Sequence, residues 1–210
     1  VAIIARQLGR PRGPFGRLTG HIMARTNGGF SRWVIGQIAG HYRGSTGRLA
    51  ELGPGPGIGL QAALRQFPQA RVWGIDPSPE MLSQSQRRNL AEVRAGRLTL
   101  IAGGTASLAA IAPVDVVVAN HVLYFWHQPA DELAAIHAAL RPGGLLALGY
   151  QLRQNMPELA RRHFPRQGDL LYDSDEQVAR LLAAAGFVAV THHVKGPPAA
   201  PHGRVALATS

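Results

Sequence analysis

The sequence predicts an α/β domain, a mostly parallel β-sheet covered by helices on both faces. Three observations carry this. From Arg48 onward, apolar runs rich in Val, Ile and Leu alternate with stretches of helical spacing. The runs are nearly continuous rather than alternating apolar and polar, the pattern of strands buried on both sides. Finally, 46% of the 210 residues are apolar and 16% are charged, enough to close one sizeable core and little more.

Taken in order, Leu49 to Leu52 is a short apolar strand ending in a Gly/Pro run. Ile58 to Phe67 has helical spacing through Leu60, Ala63, Leu64 and Phe67. Val72 to Ile75 is the second strand, closed by Asp76-Pro77. Pro79 suits a first helical turn with Ser78 as its cap, and that helix carries Met81, Leu82 and Leu90. Leu98 to Ala102 and Val114 to Ala119 are the third and fourth strands. Pro129 to Leu140 is a helix stopped by Pro142-Gly143-Gly144, and Leu145 to Tyr150 is the fifth strand. Ser174 to Ala185 is a helix opened by a capping box, Ser174 to Gln177, and stopped at Gly186. Val188 to Val194 and Val205 to Ala208 complete the sheet.

Residues 1–47 form a distinct basic helical segment ahead of the sheet domain, 48–210. No acidic residue precedes Glu51, while eight arginines do, and these account for most of the net charge of +10. Phe15, Leu18, Ile22 and Met23 share one helical face; Trp33, Val34, Ile38 and Tyr42 share another. Gly28-Gly29 separates the two, with Ser31 as the second cap. Their apolar faces pack on the sheet as core or close over the ligand pocket as a lid. The second arrangement brings His41 and Tyr42 near the pocket.

Lys195 is the only lysine, and the other cations are arginines, a bias of GC-rich coding rather than a nucleic-acid footprint. Cysteine is absent, which excludes disulfides, thiolate metal sites and a cysteine nucleophile. No apolar run reaches the roughly 18–20 residues of a membrane span, and Val1 to Ala5 is too short for a signal-peptide core. A cytoplasmic protein is expected.

The chemistry begins at Glu51-Leu52-Gly53-Pro54-Gly55-Pro56-Gly57-Ile58-Gly59, between the first strand and the first helix of the sheet. An open parallel sheet binds ligands at such a turn. The dinucleotide pattern G-x-G-x-x-G fails there, since its last position falls on Ile58 or Leu60. No phosphate loop of the G-x-x-x-x-G-K-[ST] type exists either. An acid followed by G-x-G-x-G fits a ligand with a cationic amino group and no pyrophosphate.

From Arg48 to Ser210 the chain resembles the class I S-adenosylmethionine-dependent methyltransferases, through four motifs in order. They are Glu51-x-Gly53-x-Gly55-x-Gly57; Val72 to Leu82 with Asp76-Pro77; Val114 to Asn120; and Leu140-Arg141-Pro142-Gly143-Gly144-Leu145-Leu146. The resemblance implies a Rossmann-like seven-stranded sheet ordered 3-2-1-4-5-7-6 with strand seven antiparallel. It implies S-adenosylmethionine as cofactor and S-adenosylhomocysteine as product. Asp76 would accept the ribose hydroxyls. Gly53, Gly55 and Gly57 would meet the methionine portion, with Glu51 holding the loop or the ammonium. Pro77 and Met81 would line the adenine, and Asn120 would offer its backbone carbonyl to the amino group. After the third strand the family usually has Gly-Asp-Ala, where the acid takes the adenine amino group. Here Gly103-Gly104-Thr105-Ala106 stands, with Gly104 at the acid's place; Gly104, Thr105 and Ala106 are the expected adenine-side residues, where Thr105 or a backbone carbonyl substitutes for the acid or packing holds the ring.

Methyl transfer from a sulfonium needs alignment and the removal of water, and a base only when the acceptor is protonated. Histidine suits that task. His121, directly after Asn120, is the preferred catalytic candidate, followed by His41, His21 and His127. His41, Tyr42, Tyr124 and Trp126 are the expected acceptor-side residues, with Phe125 in the same aromatic run. His192 and His193 are neighbours on a strand and face opposite ways, so no metal is expected there. The expected acceptor is a small molecule with an O, N or C nucleophile. The alternatives are a lipid methyltransferase held at an anionic membrane surface, a nucleic-acid methyltransferase and a non-catalytic cofactor-binding module. The fourth strand ends in Asn120-His121-Val122-Leu123, without the Asn/Asp-Pro-Pro-Tyr/Phe motif of the base-methylating kind.

Overall fold

A computed structural model describes residues 28–42, 44, 46–165, 170–197 and 201–210. The helix expected around Phe15 to Met23, and His21, lie outside them.

The chain enters through helix α1, over residues 28–41. Strand β1 (Arg48–Leu52) leads through the glycine turn to α2 (Ile58–Gln66) and β2 (Arg71–Asp76). Two short helices, α3 (Pro79–Arg88) and α4 (Leu90–Arg94), precede β3 (Leu98–Ala102). A 3₁₀ turn at Thr105–Ala110 leads to β4 (Val114–Asn120), then α5 (Pro129–Ala139) and β5 (Leu140–Tyr150). After α6 (Glu158–His163) and α7 (Asp175–Ala184), the strands β6 (Val188–Lys195) and β7 (Gly203–Thr209) close the sheet. Its order is β3-β2-β1-β4-β5-β7-β6, with β7 antiparallel to both neighbours, as the motifs implied.

Strand periodicity divides the core between the two faces of the sheet. In β4, Val114, Val117 and Ala119 belong to the apolar cluster that includes Leu133 and Ile136 of α5 and Val178 and Leu182 of α7. Val116 and Val118 belong to the opposite cluster, with Leu60 and Leu64 of α2 and Phe30, Val34, Ile35 and Ile38 of α1. Each of those α1 side chains is at most 4% exposed. At roughly 1.5–3 kcal/mol per buried side chain, α1 is a structural member of the domain and not an appendage.

Several local expectations change. Gly28, Gly29 and Ser31 are already helical within α1, so Ser31 does not cap it. The helix after Pro79 stops at Asn89, and Leu90 starts a separate, 39% exposed turn. The break has a local cause: Asn89 Nδ2 donates to the carbonyls of Gly57 at 3.1 Å and Ser85 at 3.0 Å, tying the end of α3 to the glycine turn. Arg141 to Gly144 form an irregularity within β5, whose pairing with β4 jumps from Val114↔Leu140 to Val116↔Leu145. Helix α6 has no counterpart in the sequence reading. As expected, Ser78 caps α3 by accepting from the Met81 N–H. Ser174 caps α7 by accepting from the Gln177 N–H, while the Gln177 side chain reaches back to the Asp173 N–H at 2.8 Å.

At the N-terminal end of the strands, Asp115 accepts from the N–H groups of Gly47 and Arg48, each at 2.7 Å, and pairs with Arg141 at 2.6 Å. Arg141 in turn donates to the Tyr42 hydroxyl at 2.7 Å. The C-terminal end of α1 is thereby fastened to one end of the sheet. The functional cavity opens at the other.

Candidate functional site

A cavity of about 290 Å³ lies at the C-terminal ends of β1, β2 and β4, where an open α/β sheet offers its ligand site. Three carboxylates line it, those of Glu51, Asp76 and Glu132. Among the described residues no Lys or Arg does. Such a site suits a ligand that brings cationic groups and hydrogen-bond donors, and it repels phosphates.

The glycine turn shapes one wall. Gly53, Gly55 and Gly57 have φ of 61°, 54° and 79°, a region that L side chains rarely adopt. Gly53 and Gly55 line the cavity. Gly57 does not: a Cβ there would meet Ser85 Oγ at 2.4 Å, so its smallness serves the contact with α3 and not the ligand. Gly59, absent from the expected site, has the clearest steric role. Its missing Cβ leaves room for the Glu51 carboxylate, whose Oε1 would otherwise be 2.1 Å away.

Glu51, 2% exposed, lies at the end of β1 with its Oε2 buried and unbonded. Burial pushes its carboxyl up to about 8; the Asn120 amide eases this, and the Asp76 charge adds to it. Although that amide is near enough to act on the charge, both of its polar atoms lack a partner in normal hydrogen-bond geometry. Asp76 accepts from the Gly55 N–H at 3.1 Å and the Ser78 N–H at 2.8 Å, so it braces the glycine turn from β2. Burial raises its carboxyl to about 6 against the pull of those two N–H groups. Each of its oxygens retains a second lone pair for a ligand donor.

Ile75, Pro77 and Met81 add an apolar flank, and Thr105 closes it beyond Gly103 and Gly104. At Gly104 an added Cβ would meet nothing within 4 Å, so the space an acid would fill is open. Ala106 is exposed and outside the cavity lining, a correction to its expected role.

The opposite wall is assembled from distant parts of the chain: Gly28 and Ser31 of α1, and His121, Val122, Phe125 and Trp126 after β4. His121 has φ of 56°, uncommon for a residue with a side chain, and its N–H donates to Gly149 O at 2.8 Å. Its ring packs on Phe30 of α1, centroids 4.6 Å apart, with Nδ1 3.5 Å from the Tyr124 hydroxyl. The ring keeps part of its surface open to the cavity while protein encloses the rest, and that burial lowers its pKa to about 4. The imidazole is therefore neutral near pH 7.

The remaining candidates lie elsewhere. Tyr124 is buried outside the cavity lining, and its hydroxyl accepts from the Gln151 N–H, clamping the loop to the end of β5. Tyr42 is held by Arg141 at the far end of the sheet. His41 is exposed and packs against His193 of β6, and His127 is exposed. None of the four reaches the cavity. His192 meets the Tyr150 hydroxyl at 2.7 Å, away from His193, as alternation along a strand requires. Sequence reasoning missed Val122, Gly59 and Glu132. Glu132 sits in the first turn of α5, where an acid is ordinary, and no local pattern sets it apart.

These residues pass a direct test for a sulfonium amino-acid nucleoside. The unbonded Glu51 carboxylate suits an ammonium, Asp76 suits hydroxyl donors, and Ile75, Pro77 and Met81 suit the face of a ring.

Residues 50–146 match a family described as a methyltransferase domain. Trans-aconitate 2-methyltransferase of Azoarcus sp. is 38% identical over 114 residues, 54% of this chain and 42% of that protein. The methyltransferase YdaC of Bacillus subtilis, itself uncharacterized, is 31% identical over 138 residues, 65% of this chain and 72% of that protein. The fold is shared with human N-acetylserotonin methyltransferase, solved with its methyl donor, at a TM-score of 0.69 and 17% identity, over 92% of this chain and 55% of that one. The chain spans less than half the length of the trans-aconitate methyltransferases it matches.

Proposed function

The chain belongs to the class I S-adenosylmethionine-dependent methyltransferases, and from that premise we propose that it methylates an O, N or C nucleophile of a small molecule. The single observation that carries this reading is the acidic lining of the cavity: three carboxyl groups, with no Lys or Arg among the described lining residues. When bound, S-adenosylmethionine supplies an electrophilic methyl on a sulfonium whose leaving group is a neutral thioether. Glu51 would hold the ammonium, Asp76 the ribose hydroxyls, and the turn at Gly53 and Gly55 the methionine chain. Met81, Pro77 and Thr105 would flank the adenine, and Asn120 would use its unbonded amide or its carbonyl near the amino group. Phe125 and Trp126 would keep water from the sulfonium, which an aromatic face also favours. His121, neutral and facing the cavity, would take a proton from an acceptor that carries one.

The relatives' names support a choice of acceptor class. Several proteins 31–38% identical are named trans-aconitate 2-methyltransferases, so small organic acids are the first acceptors to test. The arginine-rich residues 1–47 favour an anionic acceptor in the same sense. They also suit contact with an anionic membrane surface, although among the described residues no helix is long and apolar enough to cross a membrane. A cytoplasmic setting fits this reading.

The test is calorimetry with S-adenosylmethionine, S-adenosylhomocysteine and NAD, followed by turnover against small carboxylic acids, phenols and amines. Binding of the first two and methylation of at least one acceptor are expected. Binding of NAD alone would overturn the reading.

A further inference from the structure

Of the three carboxylates in the cavity, the proposed function uses two. Glu132 has no assigned work. It sits in the first turn of α5, half-buried, with no hydrogen bond or ion pair to its side chain among the described residues. The favourable meeting of acid and helix N-terminus does not explain its position, because Asp131 beside it is exposed and serves that end equally. What distinguishes Glu132 is that it is among the residues lining the cavity, whereas Asp131 is not.

Packing fixes which part of the cavity it faces. Helix α5 lies against the 3₁₀ turn Thr105–Ala110, with Leu133 and Ile136 in the same apolar cluster as Leu108 and Ile111. This sets Glu132 at the side of the cavity closed by Gly103, Gly104 and Thr105. That side offers little else with charge. Gly104 has no side chain, and the space beside it is open. Asp76 is engaged with the glycine turn through the Gly55 N–H, and Glu51 lies apart at the end of β1. A purine ring with an exocyclic amine presents two N–H donors at its edge. In a cavity that is largely apolar on this side, such donors need an acceptor.

We propose that Glu132 accepts the hydrogen bond of the adenine 6-amino group, supplying from α5 the acceptor that the loop after β3 lacks. The proposal rests on the methyl-donor reading given above. It makes Glu132 a specificity residue, selecting a 6-amino purine over a 6-oxo purine, because a carboxylate repels a carbonyl oxygen at the same place.

The experiment compares binding of S-adenosylhomocysteine with that of its 6-oxo counterpart, S-inosylhomocysteine, by calorimetry on the full chain. Wild type should prefer the adenosyl compound by about tenfold or more, the scale of one charge-assisted hydrogen bond. Glu132→Ala should bind the adenosyl compound about tenfold more weakly and bring the two ligands close to parity. Glu132→Gln, which keeps the length and can turn an N–H toward the 6-oxygen, should also narrow the ratio. Asp131→Ala should leave it unchanged. If either Glu132 variant binds with the wild-type ratio, Glu132 is not the acceptor, and the methyl-donor reading stands without it. If wild type binds neither compound, that reading and this proposal fall together.

Discussion

The two walls of the cavity are built on different principles. The wall made by residues 51–59 and 75–81 is local. Two strand ends and one turn create it, three positive-φ glycines set its backbone, and Asp76 ties strand to turn through the Gly55 N–H. The other wall joins Gly28 and Ser31 with His121, Val122, Phe125 and Trp126, which meet only after the sheet and its flanking helices have assembled. Backbone conformation defines the first and side-chain packing the second. Substitutions in the first wall should therefore act on methyl-donor affinity, and those in the second on turnover.

Gly53→Val attacks the first wall where it is least tolerant. The residue has φ of 61°, and its Cβ would lie 2.4 Å from Val122 Cγ1. Backbone strain of about 1–3 kcal/mol adds to that clash. Methyl-donor binding should fall by more than about 100-fold in calorimetry, beyond the loss of one hydrogen bond. Phe125→Ala in the opposite wall should change the dissociation constant less than about threefold, under 1 kcal/mol, while lowering kcat/KM for the acceptor. Equal losses of donor affinity in the two variants would mean that the walls are not separable.

His121 is the sharpest probe of the second wall. Asn tolerates the left-handed backbone there, so His121→Asn tests chemistry more than folding. Turnover should drop by about 100-fold, within the usual range for losing a general base, with the donor dissociation constant unchanged. The pH profile supplies a further check. Burial lowers the imidazole pKa to about 4, so the base is in its active neutral form above that value. The kcat/KM profile should show no acid limb from this residue between pH 5 and 8. A limb near pH 6.5 would mean that the ring is open to solvent.

The first wall was legible in the sequence and the second only in part: His121, Phe125 and Trp126 are expected at the pocket and line it. Glu51, Gly53, Gly55 and Asp76 lie within short motifs whose spacing follows the strand–turn–helix geometry. By contrast, His41, Tyr42 and Tyr124 were chosen by chain proximity to the expected pocket. Arg141 holds Tyr42 at the other end of the sheet, and the end of β5 captures the Tyr124 hydroxyl. The start of α1 differs only in that Gly28 to Ser31 are already helical, and its buried face runs from Phe30 through Val34. Near-continuous apolar strands alternating with helices carried the fold class, and the resemblance of four ordered motifs implied the sheet order. The orientation of single side chains on loops carries no such period. Gly57 shows a limit even within the motif, since its lack of a Cβ serves Ser85 and Asn89.

Asp76→Asn returns to the first wall with a smaller perturbation. The amide keeps one oxygen to accept from the Gly55 or Ser78 N–H, so the turn should hold. The charge that would face the ribose hydroxyls is gone. Donor affinity should fall by about 10–100-fold, the range of a charged hydrogen bond, with little change in melting temperature. An unchanged dissociation constant would reduce Asp76 to a brace of the turn.

The smallest expected effect concerns how the first wall waits for its ligand. The Glu51 carboxyl is raised by burial from 4.5 to about 8 in the folded protein. A carboxyl so raised contributes stability that is fully present below its unfolded pKa and is lost as pH rises through its folded one. Asp76, raised to about 6, acts in the same direction over a lower range. His121 acts oppositely: its pKa falls from 6.5 to about 4, so its contribution is present above 6.5 and lost as pH falls through 4. The interval from pH 6.5 to 8 therefore isolates Glu51. Across it, the ligand-free protein should lose at most about 2 kcal/mol, near 1.4 kcal/mol per pH unit. For a domain of this size that is a fall of several degrees in Tm. Glu51→Gln stays neutral, so its Tm should be flat over the same interval and exceed that of wild type at pH 8, while its affinity for the methyl donor should be lower. Bound S-adenosylhomocysteine should flatten the wild-type slope as well, because its ammonium would stabilise the ionised carboxylate. If wild type and Glu51→Gln have parallel Tm profiles from pH 6.5 to 8, Glu51 is already compensated without ligand, and the first wall does not hold an uncompensated acid in reserve for binding.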